Sequence, residues 1–169
     1  LRFRPCPPLL SRLDGSLGCD PFAASASAKS AQAGRMLFEW GTAHLADLSE
    51  LPCACPVCSK HGADGLKQLL GKEKEVALAE HNLHVSFADL RRIRTAIQEV
   101  SLWELVEQRA ACHPMLAAAT RKIGDPTYQS RLERREPGSH TRALRYTGSR
   151  PPQRPNVRRS RESLQSAAR

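Results

Sequence analysis

Three cysteines fall within six residues, at Cys53, Cys55 and Cys58, in the string Cys-Ala-Cys-Pro-Val-Cys. Thiolates at that spacing suit a metal ion. Zinc takes four tetrahedral donors of sulfur or imidazole character, and one bend of chain can deliver three of them. Pro56 stiffens the bend and has no backbone N–H to satisfy. The fourth donor must come from elsewhere. His61 is too near to reach the opposite side without strain. His81 and His84 lie one helical turn apart, and on spacing alone either could close the site. His81 is preferred because a short helix after the knuckle would fold back and bring the start of the next helix over it. The competing reading is three reduced cysteines gathered without a metal. Their concentration weighs against it, since only Cys6, Cys19 and Cys112 occur in the rest of the 169 residues. A catalytic metal would need an open fourth position and a base nearby, and three thiolates would leave it a poor Lewis acid. The expected site is therefore structural: Cys53, Cys55, Cys58 and His81 around a zinc ion, holding a loop that has no other anchor. Cys112, on an apolar helix face, reads as a small core residue.

The elements that must position these ligands are mainly helical. Residues 1–33 are irregular, and Arg35 to Trp40 is predicted as a short strand with a turn at Gly41. His44 to Leu51 is predicted as a helical turn or two ending at Pro52, and Ala63 to Gly71 as a short helix. The strongest signal runs from Lys72 to about Val100. There Leu83, Phe87, Leu90, Ile93, Ile97 and Val100 recur at three- and four-residue steps as one apolar stripe. A second helix over Leu102 to Cys112 has Leu102, Leu105, Val106 and Ala110 on one face. His113-Pro114 interrupts it, and Met115 to Ile123 resumes as a third. From Gly124 the periodicity fails among scattered prolines, with Leu144 to Tyr146 the single candidate strand. No internal repeat is visible.

Charge divides the chain more sharply than hydropathy does. The first 119 residues carry 13 basic and 13 acidic side chains, whereas the last 50 carry 13 basic and four acidic, so the whole net charge of +9 sits on that final segment. A basic segment of this kind suits a polyanion such as nucleic acid, or is simply a solvated tail. Twelve prolines and 5% aromatics, with a mean hydropathy of −0.47, imply that part of the chain stays outside any core. The N-terminus has no signal-peptide pattern, and no apolar run approaches the ~20 residues of a membrane span. A cytoplasmic protein with reduced thiols and no membrane partner is expected.

The string LPCACPVCSK (51–60), then AEHNLHVSFADLRRIRTAI (79–97) and LWELVEQRAACHP (102–114), resembles the archaeal tRNA-guanine transglycosylases, the archaeosine tRNA-ribosyltransferases. The pattern is a Cys-x-Cys-Pro-x-Cys knuckle, a His-Asn-Leu helix with an Arg-rich continuation, and a helix ending in His-Pro. The 22 residues between Cys58 and His81 match the archaeal members, and the resemblance favours His81 over His84. It covers roughly residues 18 to 115, and the Arg-Pro-x-Val-x-Arg segment at 154–159 is also similar to the region after the catalytic domain.

The resemblance implies a (β/α)8 barrel with a zinc-bearing helical subdomain near its C-terminal end. It implies exchange of guanine in the tRNA D-loop for 7-cyano-7-deazaguanine, through an aspartate nucleophile that holds a covalent tRNA intermediate. Two departures stand out. A barrel takes ~250 residues, more than this sequence has, so the chain is expected to be a C-terminal fragment: 1–50 a barrel remnant, 51–123 the zinc-binding helical subdomain, 124–169 a basic, largely disordered linker and tail. The second departure is at the nucleophile. The family motif Gly-Cys-Asp-Leu-Phe-Asp-Ser-Ala aligns with Gly18 to Ser25, and the nucleophile's position is Ala23, whose methyl group cannot attack an anomeric carbon. Asp20, about 10 Å of extended chain away, does not replace it, because errors near 1 Å already cost dearly. The chain is expected to bind tRNA, with Arg91, Arg92 and Arg94 of the long helix against phosphates, and to lack independent catalysis unless a partner chain carries the rest of the barrel. The alternative is a non-catalytic zinc-stabilised module that binds nucleic acid through its scaffold and basic tail.

Overall fold

The computed structural model describes residues 25–123 and 154–168. The first described helix, α1 (Ser25–Gln32), ends at Gly34, whose φ of +66° suits a residue without a Cβ. Its N–H closes the helix on the Ala31 carbonyl at 2.8 Å. The chain then turns into an antiparallel hairpin of β1 (Arg35–Phe38) and β2 (Gly41–His44), with Arg35 opposite His44 and Phe38 opposite Gly41. Glu39 and Trp40 form the two-residue connection, so the strand predicted through Trp40 stops two residues earlier. Gly41 begins the second strand instead of marking the turn. The helix expected over 44–51 shrinks to a single 3-10 turn, Leu45–Asp47.

The helix after the knuckle starts at Pro56, sooner than the Ala63 expected. α2 runs Pro56–Gln68 with Cys55 as its N-cap, and Pro56 occupies a first-turn position where a missing N–H costs nothing. Gly62 interrupts it at φ 64°, ψ −177°, a conformation open essentially only to glycine. α3 (Gly71–Gln98) follows, then α4 (Leu102–Ala110), α5 (Pro114–Ile123) and α6 (Pro155–Ala167). Among the described residues no helix is long and apolar enough to cross a membrane.

The described residues divide into two compact units, 25–92 and 93–123 with 154–168. In the first, Ala31, Met36, Phe38, Leu45, Val57, Cys58, Leu66 and Leu78 form one core. α3 therefore packs through Leu78, His81 and Asn82, with Asp89 further along, and not through the predicted stripe. Leu83 and Phe87 of that stripe are exposed, Phe87 by 55%. In this unit the buried face carries polar groups whose hydrogen bonds are met inside the fold, which a count of apolar residues does not reveal, whereas Ile93 of the same stripe is buried further along.

In the second unit Ile93, Ala96 and Leu102 cluster, with Leu105 against them. Cys112 is exposed, its thiol directed to the Gln108 carbonyl, so it is not a core residue: the helix ends at Ala110 and leaves it on a surface turn. Residues 155–167, expected to be unpatterned tail, form a helix. Its lead-in Arg154 is buried and ion-paired with Glu107, whose carboxylate also accepts from Trp103 Nε1 at 3.0 Å. A guanidinium anchor of this kind leaves no apolar periodicity to read. Leu144 to Tyr146, Asp20 and Ala23 lie outside the described residues.

α3 closes on Val100, a β-branched residue at φ +56°. The Ser101 N–H reaches back to the Ala96 carbonyl at 2.8 Å, the six-residue closure that normally uses glycine. An L side chain held there is strained. Val100→Gly is expected to stabilise the chain by about 1 kcal/mol, seen as a higher urea midpoint at unchanged m-value.

Candidate metal centre

The knuckle folds as it does because α2 begins inside it. The Cys55 sulfur caps the helix, accepting the Cys58 N–H at 3.5 Å, while the Ser59 N–H bonds the Cys55 carbonyl at 2.9 Å. Two of the three sulfurs thus sit at a helix N-terminus, where partial positive charge favours thiolate. Without a counter-charge, burial pushes the Cys58 thiol far up, with neighbouring Cys55 adding to it, and pushes the Cys53 thiol up as well, against a lowering backbone hydrogen bond from Cys55. A divalent cation would supply that charge.

His81 approaches from α3 and is fully buried. Its Nε2 lies 2.9 Å from the Leu37 carbonyl, which can only accept, so Nε2 carries the proton. Nδ1 is left with its lone pair, 3.2 Å from Cys58 Sγ and 3.4 Å from Cys55 Sγ. Burial lowers the imidazole pKa, opposed by the bond to Leu37, so the ring is held in the neutral form that a metal requires. All four ligand atoms, from Cys53, Cys55, Cys58 and His81, lie within 4.8 Å of one another. A tetrahedral zinc ion, with its usual bond lengths, separates its sulfur and nitrogen donors by about 3.5–3.8 Å. The donor set and its spacing fit that ion with little movement. With no open position for water, a metal held here would cross-link the chain and activate nothing.

Sequence reasoning missed the residue beside the ligand. Asn82 is fully buried and makes three hydrogen bonds: Oδ1 accepts the Leu37 N–H at 2.7 Å, and Nδ2 donates to the Ser27 and Arg35 carbonyls at 3.1 Å each. His81 and Asn82 together grip both backbone groups of Leu37, tying α3 to β1 and α1. Such outer partners fix a ligand's ring orientation and tautomer. No sequence signal marks it, because its burial and its three partners arise only in the fold.

The other predicted residues do not share this site. His84 lies one turn on and faces Glu80 at 3.8 Å. Arg91 and Arg92 line a groove of about 500 Å³ beside the knuckle, where Arg92 pairs with Glu39. Arg94 is exposed on α3 and belongs to the second unit.

The fold and the site define a helical module built around a Cys3His cluster that could hold a metal ion. A family model described as queuine tRNA-ribosyltransferase matches residues 13–115, which include the whole centre. The chain belongs to that family. It is similar to the tRNA-guanine(15) transglycosylase of Haloferax volcanii, 43% identical over 152 residues, 90% of this chain and 29% of that protein. The protein of the same name from Methanocaldococcus jannaschii is 42% identical over 160 residues, 93% of this chain and 24% of its own. That from Methanobrevibacter smithii is 40% identical over 162 residues, 96% and 24%. The chain thus spans about a quarter of the length of the curated relatives it matches.

Proposed function

We propose that this chain is the zinc-stabilised, tRNA-gripping part of an archaeosine-forming tRNA-guanine transglycosylase, cytoplasmic and inactive by itself. The observation that carries the reading is the coincidence of the family match with the Cys3His centre and its Leu37 clamp, all inside residues 13–115. The exchange of guanine in the tRNA D-loop for 7-cyano-7-deazaguanine needs a carboxylate nucleophile at the ribose. The corresponding position here is Ala23, so catalysis would need a further chain that supplies the barrel's active site. The part left to these residues is grip. Zinc, held by Cys53, Cys55, Cys58 and His81, supplies a rigid cross-link. Arg91, Arg92 and Arg94 and the basic residues beyond 120 supply charge for phosphates, a salt-dependent contact that positions RNA without reading its sequence.

The test is direct. The zinc-loaded chain should bind tRNA in preference to duplex DNA at moderate salt, and should not exchange labelled guanine into tRNA. Exchange by the isolated chain would overturn the inactive part of the reading. Equal binding to duplex DNA would favour a general nucleic-acid module instead.

A further inference from the structure

The groove beside the knuckle has a chemistry that phosphate gripping does not use. Its walls come from the hairpin connection, from residues 52–56 and from one face of α3, all within the first unit. Trp40 stands on the hairpin connection and is 50% exposed, unusual for so large an apolar ring. It stacks on buried Phe38, ring centres 4.9 Å apart and planes 3° from parallel. Phe38 in turn leans on the His81 ring at 5.6 Å. The metal centre therefore props a short column of rings whose outermost member is half open. The volume, about 500 Å³, is within the range of small-ligand clefts.

The polar groups around Trp40 are arranged for a ligand with an aromatic body and an anionic link. Arg91 lines the groove, is exposed, and makes no hydrogen bond or ion pair among the described residues. Arg92 pairs with Glu39 across the opening, with both side chains about half exposed. A pair so exposed is worth little and can be exchanged for other partners. Asp89, at the base of the groove, is buried and already engaged in the fold. A neutral apolar ligand would leave the arginines unused, and a bare phosphate would leave the tryptophan unused.

We propose that this groove receives one unpaired nucleotide of an RNA strand, its base stacked on Trp40 and its phosphate at Arg91 and Arg92. The inference rests on the functional reading above and deepens it, by adding a base contact to a grip otherwise made only of charge. Duplex RNA cannot enter, because its bases are already stacked.

The experiment titrates the zinc-loaded chain with a seven-residue oligoadenylate, an abasic ribose-phosphate heptamer of equal charge, and a short RNA duplex. Binding and tryptophan fluorescence are read together at constant salt. Trp40 and Trp103 are the chain's two tryptophans and Trp103 is buried, so quenching that vanishes in Trp40→Ala belongs to Trp40. Oligoadenylate should quench the signal and bind about ten-fold more tightly than the abasic strand, the value of one stacked base. Trp40→Ala should abolish both differences, Trp40→Phe should keep most of the affinity, and Arg91→Ala should lower the salt slope by about one. Retained zinc stoichiometry and circular dichroism show that each variant is folded. Equal affinity for the abasic strand, or binding indifferent to Trp40→Ala, overturns the base site while leaving the tRNA-gripping reading intact. Failure of the parent chain to bind any of these strands or tRNA overturns both.

Discussion

Removing zinc from the chain is expected to collapse residues 25–92, with loss of much of the far-ultraviolet helical signal and of the cooperative urea transition. The unit's core is small, and two of its ligand residues, Cys53 and Cys55, pack against that core while Cys58 belongs to it. Apparent binding free energies at such sites are on the order of 10 kcal/mol, comparable to the entire stability of a small domain. Chelation should therefore act as denaturation, reversible on adding the ion back. Cys58→Ser should reproduce the defect without a chelator, because it removes a buried ligand and leaves two sulfurs. Cys112→Ser, at the exposed turn, should change stability by less than about 0.5 kcal/mol. One zinc per chain by elemental analysis is the accompanying result. A chain that keeps its cooperative transition after complete metal removal would show that the four side chains cluster for packing alone.

Replacing Asn82 by leucine is expected to cost about 3–5 kcal/mol, from several buried backbone groups at about 1–3 kcal/mol each. Leucine keeps the branched shape, somewhat larger, and deletes all three hydrogen bonds. The Leu37 N–H and the Ser27 and Arg35 carbonyls lose their partner together. Urea denaturation at saturating zinc measures the loss. Because His81 still holds the Leu37 carbonyl, zinc stoichiometry should survive while affinity falls by roughly ten-fold, the usual effect of loosening what orients a ligand. His84→Ala is the control from the same helix. Its ring meets Glu80 only at the surface, so its effect should stay within about 0.5 kcal/mol.

These two predictions mark where the sequence could and could not be read. The knuckle was legible because its three sulfurs are local: six residues contain them and their spacing is itself the signal. The fourth member required a distant partner, and spacing left His81 and His84 open until the wider resemblance favoured one. The structure brings His81 to the sulfurs. Asn82 was not legible at all, because what it does depends on backbone atoms 45 to 55 positions away. The same long-range satisfaction explains why the apolar stripe misses the face of α3 that is buried in the first unit, while its Ile93 is buried in the second. Hydrophobic periodicity assumes that buried positions are apolar, and here the buried row contains His81, Asn82 and Asp89. Arg154 makes the parallel point in the second unit, where one buried ion pair precedes a helix that no apolar stripe announces. Helical class, by contrast, was plain from the apolar residues that recur at three- and four-residue steps between Lys72 and Cys112.

The spacing of the ligands also sets an order of events in time. Three sulfurs within six residues can hold an ion while the chain is still unfolded. His81 joins last, closing a loop of 23 positions on Cys58 at an entropic cost of about 3 kcal/mol. A metal already seated on the sulfurs turns that search into the capture of one imidazole, so zinc present before refolding should speed it. The same early capture means that the unfolded chain keeps some affinity for the ion. Stability then rises with zinc concentration less steeply than native-only binding would give.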